Sequence, residues 1–247
     1  MSPIKKLFSI AVFGVLTCAF TAQAGSLAIV NSDFGGAVAE MLATGDFTSV
    51  TAIDAYGSTP TLAQLSSYDY VLAFTNFPPA NSIALGDVLS QYYALGGKKL
   101  TIGTYGFSNP WAIGGAVMTG SDVALLNVGN NGNVTGQLVA TVPSDPIFAG
   151  ITLSDVSFFH NGNFAHPDLA PGATLLATDG AGINMIARSA DGIVDVNLFP
   201  GDLGNNALFY QLLAQTFTPA SAIPEPASVS LLLGGLLGLG LLRFRRK

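Results

Sequence analysis

The sequence predicts an α/β domain built on a mostly parallel, doubly wound sheet flanked by helices, with a β-rich second half and a single apolar helix at each end of the chain. Three observations carry this reading. Strand and helix signals alternate between Ser26 and Ile102, short glycine-broken apolar runs follow Trp111, and a long apolar stretch beside basic residues lies at either terminus.

Ser26 to Asn31 is a short apolar run closed by polar residues, as expected of a strand buried on both faces. Asp33-Phe34-Gly35-Gly36 makes a turn, and Ala37 to Leu42 forms a helix stopped by Gly45. Val50 to Asp54 is the second strand, Thr61 to Leu65 a short helix capped by Thr59 or Thr61, and Tyr70 to Phe74 another buried strand. Ser82 to Leu95 places Ile83, Leu85, Val88, Leu89 and Tyr92 at helical spacing, and Gly96-Gly97 supplies a left-handed stop. Lys99 to Ile102 is the next strand. Three successive strand-helix-strand units predict parallel pairing with helices on both faces.

Past Trp111 the glycines break the chain into pieces such as Val123 to Val128 and Gln137 to Val142, which read as a hairpin or strand excursion turning at Asn131-Gly132. Val156 to Phe159, Thr174 to Ala177, Met185 to Arg188 and Ile193 to Phe199 are further predicted strands, the last two joined by a turn at Ala190-Asp191-Gly192. Gly204 to Phe217 is the closing helix, with Ala207, Leu208, Leu212 and Leu213 toward the sheet.

The ends carry addresses. Lys5-Lys6, the apolar run from Leu7 to Phe20 and the small-x-small pattern Ala22-Gln23-Ala24 read as a secretory signal peptide spanning 1–24, cleaved before Gly25. The only cysteine, Cys18, lies inside it, so the mature chain has no thiol. A single exported domain spans 25–218 and a short linker 219–223. Six of the nine basic residues lie in the two terminal segments, leaving Lys98, Lys99 and Arg188 against fourteen acids and a formal charge of −11 on the body. Such a surface excludes nucleic acid and disfavours anionic glycans, because phosphate binding needs clustered cations. The acidity suits a soluble exported domain.

At the carboxyl end, Pro224-Glu225-Pro226 halts any helix from the body, since proline lacks an N–H and restricts the residue before it. An apolar run from Val229 to Leu242 follows, then Arg243-Phe244-Arg245-Arg246-Lys247. The run would rise about 21 Å as a helix, short of a hydrocarbon core of about 30 Å. It makes a marginal span whose basic cluster, Arg243, Arg245, Arg246 and Lys247, stays cytoplasmic. This three-part tail, 224–247, resembles the PEP-CTERM sorting signal. The resemblance implies a Gram-negative bacterium that makes extracellular polysaccharide, processing by exosortase near Pro224, Glu225 and Pro226, and transient retention in the inner membrane before release to the cell surface or matrix. Signal peptidase and the secretion machinery are the other implied partners, extracellular polysaccharide a further one, and an ordinary carboxyl-terminal anchor the competing reading.

In the body, Tyr68-Asp69-Tyr70-Val71-Leu72-Ala73-Phe74, Leu95-Gly96-Gly97-Lys98-Lys99-Leu100-Thr101-Ile102-Gly103, Asp145-Pro146-Ile147-Phe148-Ala149-Gly150-Ile151 and Pro171-Gly172-Ala173-Thr174-Leu175-Leu176-Ala177 resemble segments of the glutamine-amidotransferase-like, flavodoxin-type domains, ThuA-like proteins included. The resemblance implies a fold, not an activity. An amidotransferase needs a thiolate on the turn after a central strand, backed by a histidine and by N–H groups for the oxyanion. The corresponding turn, Gly103-Thr104-Tyr105-Gly106-Phe107, has Tyr105 where the cysteine would stand. A phenol with a pKa near ~10 is a poor nucleophile, and amidotransferase activity is not expected.

Other chemistry is sparse. His160 and His166 lie six residues apart with Asp168 beyond, without the spacing of a helical zinc site, and no metal or cofactor is expected. Ser108, His160 and Asp168 form a conceivable triad with no nucleophile-elbow motif behind it. Asp33, Asn76, Tyr105, Trp111 and His160 mark a possible ligand crevice at the carboxyl ends of the strands, where open α/β sheets bind ligands. The expectation is a non-enzymatic exported envelope or matrix protein; the alternative is a carbohydrate-binding, carbohydrate-active or hydrolytic domain using that crevice.

Overall fold

A computed structural model describes residues 24–33, 37–119, 122–126, 131–162, 164–201 and 204–217. The expected sorting tail, and the expected signal peptide up to residue 23, lie outside the described residues. Among those described, no helix is long and apolar enough to cross a membrane.

The first half is a run of alternating elements: β1 (Gly25–Ser32), α1 (Val38–Ala43), β2 (Phe47–Asp54), α2 (Leu62–Leu65), β3 (Tyr70–Thr75), α3 (Ser82–Ala94) and β4 (Lys99–Gly103). Local chemistry sets their limits. Thr61 and Gln64 form a reciprocal capping box that starts α2, which settles the cap in favour of Thr61 over Thr59. Asn81 accepts from the Ala84 N–H to start α3, and Gly96 and Gly97 take φ of 75° and 68° to end it. Inside α3, a Cβ on Gly86 would stand 1.6 Å from the Gly114 carbonyl oxygen, so the absent side chain is what lets the following segment pack on this helix.

The second half is β-rich: β5 (Leu125–Leu126), β6 (Asn131–Gly132), β7 (Leu138–Ala140), β8 (Phe164–Ala165), β9 (Asp168–Leu169), β10 (Thr174–Asp179), β11 (Asn184–Arg188) and β12 (Val194–Val196), closed by α4 (Ala207–Gln215). Eight strands join one sheet in the order β2-β1-β3-β4-β12-β11-β10-β7. The five from β2 to β12 are mutually parallel, and β11, β10 and β7 extend them antiparallel. The parallel part has the 2-1-3-4-5 order of a flavodoxin-type sheet, whose switch point falls between β1 and β3. Strand alternation divides the core. Leu27, Ile29, Leu72, Phe74 and Val196 meet Met41 of α1 and Phe209, Leu212 and Leu213 of α4. Ala28, Val30, Val71, Ala73 and Ile102 meet Leu65 of α2 and Leu85, Leu89 and Tyr92 of α3.

Three local expectations are corrected. Asn131-Gly132 is not a turn between adjacent strands: it forms β6 and pairs with Ala165 and Phe164 of β8, while β7 pairs with β10. Distant partners override the local turn chemistry. Val156 to Phe159 forms no strand, although Val156 and Phe158 are buried as a strand's alternation would bury them. Its backbone is taken by side chains and loops instead, Phe159 N–H donating to Asn205 Oδ1 at 3.0 Å and Ser157 O accepting from Asn206 N–H at 3.0 Å. On α4, Ala207 is exposed at the helix start, after an Asn206 cap, whereas Leu208 packs half-buried against the core and Phe209, Tyr210, Leu212 and Leu213 face inward.

Polar side chains inside the sheet hold the irregular segments. Asp195 Oδ2 accepts from the N–H groups of Ala124 (2.6 Å) and Leu125 (2.9 Å). Asn197 Nδ2 donates to Ala165 O (2.7 Å) while its Oδ1 accepts from Thr104 Oγ1 (2.6 Å), and Asp179 Oδ2 accepts from Thr135 N–H (2.8 Å). These side chains thereby pair with backbone that meets no neighbouring strand of the main sheet, while Asp195 Oδ1 is left without a partner among the described residues.

Candidate ligand crevice above the sheet

The carboxyl ends of β1, β3 and β4 bring together four of the five residues expected to line a crevice. Asp33 follows β1 and Asn76 follows β3, one on each side of the switch point, and Asn76 Nδ2 donates to Asp33 Oδ1 at 3.3 Å. Tyr105 follows β4 and its ring lies 5.5 Å from that of Trp111. Phe199 and Gly201 connect the two pairs. Phe199 packs on Tyr105 at 5.5 Å, and a Cβ on Gly201 would meet the Phe199 ring at 2.3 Å and Asp33 Oδ2 at 3.2 Å. His160 is not directed to this group. Its Nδ1 is 3.1 Å from Phe158 O and its ring lies against Gly136.

Tyr105 is a packed aromatic, 6% exposed. Phe164, Phe199 and Trp111 surround its ring, each with a centroid 5.5 Å away, and a Cβ on Gly162 would come 2.4 Å from its hydroxyl oxygen. The 159–162 segment thus lies over the phenol. The turn's backbone is equally committed: Tyr105 N–H donates to Thr75 O (2.8 Å), Gly106 N–H to Gly103 O (2.9 Å) and Ser108 N–H to Tyr105 O (2.8 Å). An oxyanion hole requires such N–H groups to be aimed at the reacting centre; here they close the turn on itself.

The Ser108, His160, Asp168 set is not assembled. Ser108 Oγ is buried with no hydrogen-bond partner among the described residues, His160 bonds to the backbone, and Asp168 is exposed on β9 against β5. Among the described residues no three His, Cys, Asp or Glu side chains gather as metal ligands. At the other end of the chain's first strand, Gly25 is buried and paired with Phe47, and a Cβ there would strike the Tyr70 ring at 2.6 Å. Ala24 immediately precedes that strand, whereas Ala22 and the tail residues lie outside the described residues.

Sequence reasoning missed Asp195 and Asn197. Their signal was present as two polar residues at alternate positions of the apolar run Ile193 to Phe199, which places both on one face of a buried strand.

No family model matches the sequence, and no curated protein matches it. Solved structures do. "Cytoplasmic Protein STM3548" from Salmonella typhimurium superposes with a TM-score of 0.57 at 11% identity, over 78% of this chain and 97% of that one. A "putative thua-like protein" from Parabacteroides merdae superposes at 0.49 and 12% identity, over 82% and 94%. At such identities the likeness is one of fold alone, and it agrees with the strand order above: an α/β domain with a mixed, mostly parallel eight-stranded sheet in flavodoxin-type order.

Proposed function

We propose that this chain is an exported envelope or extracellular-matrix protein, sorted by exosortase through Pro224-Glu225-Pro226, whose α/β body works without catalysis. The observation that carries the reading is where the body meets its two flanking segments. Gly25 opens β1 beside Phe47, and Phe217, just beyond α4, packs its ring on Phe47 (6.1 Å) and Tyr70 (5.7 Å). Lys99, the first residue of β4, donates to Phe217 O. Both joins therefore leave from the amino-terminal ends of the parallel strands, opposite the crevice. A domain held at the membrane by either segment presents the same end to the lipid and the other outward.

The committed turn at Tyr105 supports a non-catalytic body. The nucleophile's place holds a ring enclosed by three aromatic neighbours, and the N–H groups an oxyanion would need are spent on protein carbonyls. A carbohydrate-active crevice would instead require turnover of a glycan or ester substrate that disappears in Tyr105→Phe, and such a result would overturn this part of the reading.

Sorting is tested by mass spectrometry of the mature carboxyl terminus in cells with and without exosortase. The expected product lacks Arg243 to Lys247 and leaves the membrane only when exosortase and Pro224-Glu225-Pro226 are intact. A mature protein that keeps Arg243 to Lys247 and stays membrane-embedded in both strains would refute it.

A further inference from the structure

On the flank of the domain, α1 and α4 enclose a groove of about 590 Å³ whose rim at Asn205 adjoins Phe199 and Gly201. Helical spacing builds it. Ala207, Gln211 and Gln215 recur every fourth residue along one stripe of α4, and Glu40, Ala43 and Thr44 form the facing stripe at the end of α1, where Asp46 continues the wall. Ala43 and Ala207 are both exposed in the groove, and their small side chains keep it open. Its volume falls in the range of roughly 300–1,000 Å³ usual for small-ligand sites.

The lining is rich in acceptors. Glu40 and Asp46 offer carboxylates, and among the described residues no Lys, Arg or His contributes to the walls. Gln215 supplies a second, independent sign of a ligand. The residue is 5% exposed, its Nε2 donates to Ala149 O at 3.2 Å, and its Oε1 has no partner among the described residues. A buried carboxamide oxygen left unsatisfied is costly, and a donor seated in the groove would relieve that cost.

We infer that this groove binds a hydroxyl-rich, non-anionic saccharide. Vicinal hydroxyls are the donors that paired carboxylate and carboxamide oxygens accept, and Gln211 offers an amide donor in return for a ring or hydroxyl oxygen. A uronate or sulfated sugar would meet two carboxylates and no compensating cation, on a body of charge −11. A bare metal ion is poorly served, because no third His, Cys, Asp or Glu joins Glu40 and Asp46 among the described residues. The inference goes beyond the sorting reading and is independent of it, since binding can be measured whether or not the tail is processed.

The test is isothermal titration calorimetry of the full chain in detergent with three probes: cellohexaose, the glucosamine hexamer and the galacturonate hexamer. Saturable binding of the first two is expected, the glucosamine hexamer binding tighter through the carboxylates, with none of the third. Combined Glu40→Ala and Gln211→Ala substitutions should weaken both non-anionic probes at least tenfold, whereas Trp111→Ala in the crevice should leave them unchanged. If the double variant fails to fold, Gln211→Glu serves in its place, weakening cellohexaose and strengthening the glucosamine hexamer. The inference is overturned if neither non-anionic probe binds, if galacturonate binds comparably, or if binding follows Trp111 and ignores the groove.

Discussion

Replacing Asp195 with asparagine removes an ionisable group that is wholly enclosed in the protein. Burial pushes its carboxyl up to about 7 from the ordinary 3.8, against the smaller opposing effect of the Leu125 and Ala124 N–H groups. Among the described residues it meets no cation, the ion pair present being Arg188 with Asp145. The folded protein consequently holds a proton through a pH range where the unfolded chain has released it. Stability falls as pH rises from about 4 to about 7 and then levels off, with a full loss of about 4 kcal/mol. Most of the measurable part, about 3 kcal/mol, lies between pH 5 and pH 8. Asparagine keeps an oxygen for the two N–H groups and cannot titrate. Urea denaturation of both proteins at pH 5 and pH 8 isolates the effect, because repulsion within the acidic body is common to both and cancels in the difference. The wild type should lose about 3 kcal/mol more than Asp195→Asn over this interval. Parallel pH dependence in the two proteins would refute the assignment of a buried, protonated Asp195.

Two further substitutions probe packing. Gly86→Ala forces a methyl group into the Gly114 carbonyl, which a Cβ would meet at 1.6 Å, so α3 and the 113–117 segment must separate. A loss of about 1–3 kcal/mol is expected, visible as a fall of about 2–12 °C in the thermal midpoint; an unchanged midpoint would show that this contact is not tight. Tyr105→Ala empties the centre of the aromatic group above the sheet and should cost about 3–5 kcal/mol in urea denaturation, while Tyr105→Phe keeps the ring and should cost less than about 1.5 kcal/mol. Near-neutral behaviour of Tyr105→Ala would mean that the ring is a surface group awaiting a ligand.

The parallel half of the fold was legible because its signals are local. Leu27 to Val30 and Val71 to Phe74 read as buried strands without reference to anything else, and Thr61, Gly45, Gly96 and Gly97 mark where the chain stops or turns. The second half was less legible because its partners are far apart in sequence. Nothing near Asn131-Gly132 indicates that Phe164 and Ala165 will pair with it, and the alternation of Val156 and Phe158 does not reveal that Asn206 will claim the Ser157 carbonyl and Asn205 the Phe159 N–H. That Asp33, Asn76 and Tyr105 share one end of the sheet was legible from the strand order, since Asp33 and Asn76 directly follow parallel strands and Tyr105 stands two residues past another. The inward packing of Tyr105 was not, because it depends on Gly162 and Phe164, some sixty residues later. The groove between α1 and α4 left only a faint trace, the four-residue repeat of Gln211 and Gln215 in a helix otherwise read for its apolar face.

Asp195 and Asn197 on one face of the sheet, and Asp179 on the other, hold the segments packed against them through main-chain atoms: the N–H groups of Ala124, Leu125 and Thr135, and the carbonyl of Ala165. Every residue except proline carries both of those groups. The sheet thus dictates where these covering segments sit while leaving much of their composition open. Over evolutionary time the side chains at 124, 125, 135 and 165 can drift as far as local space permits, whereas Asp195, Asn197 and Asp179 beneath them cannot, and new surface chemistry can be grown on either face of the sheet without rebuilding the scaffold.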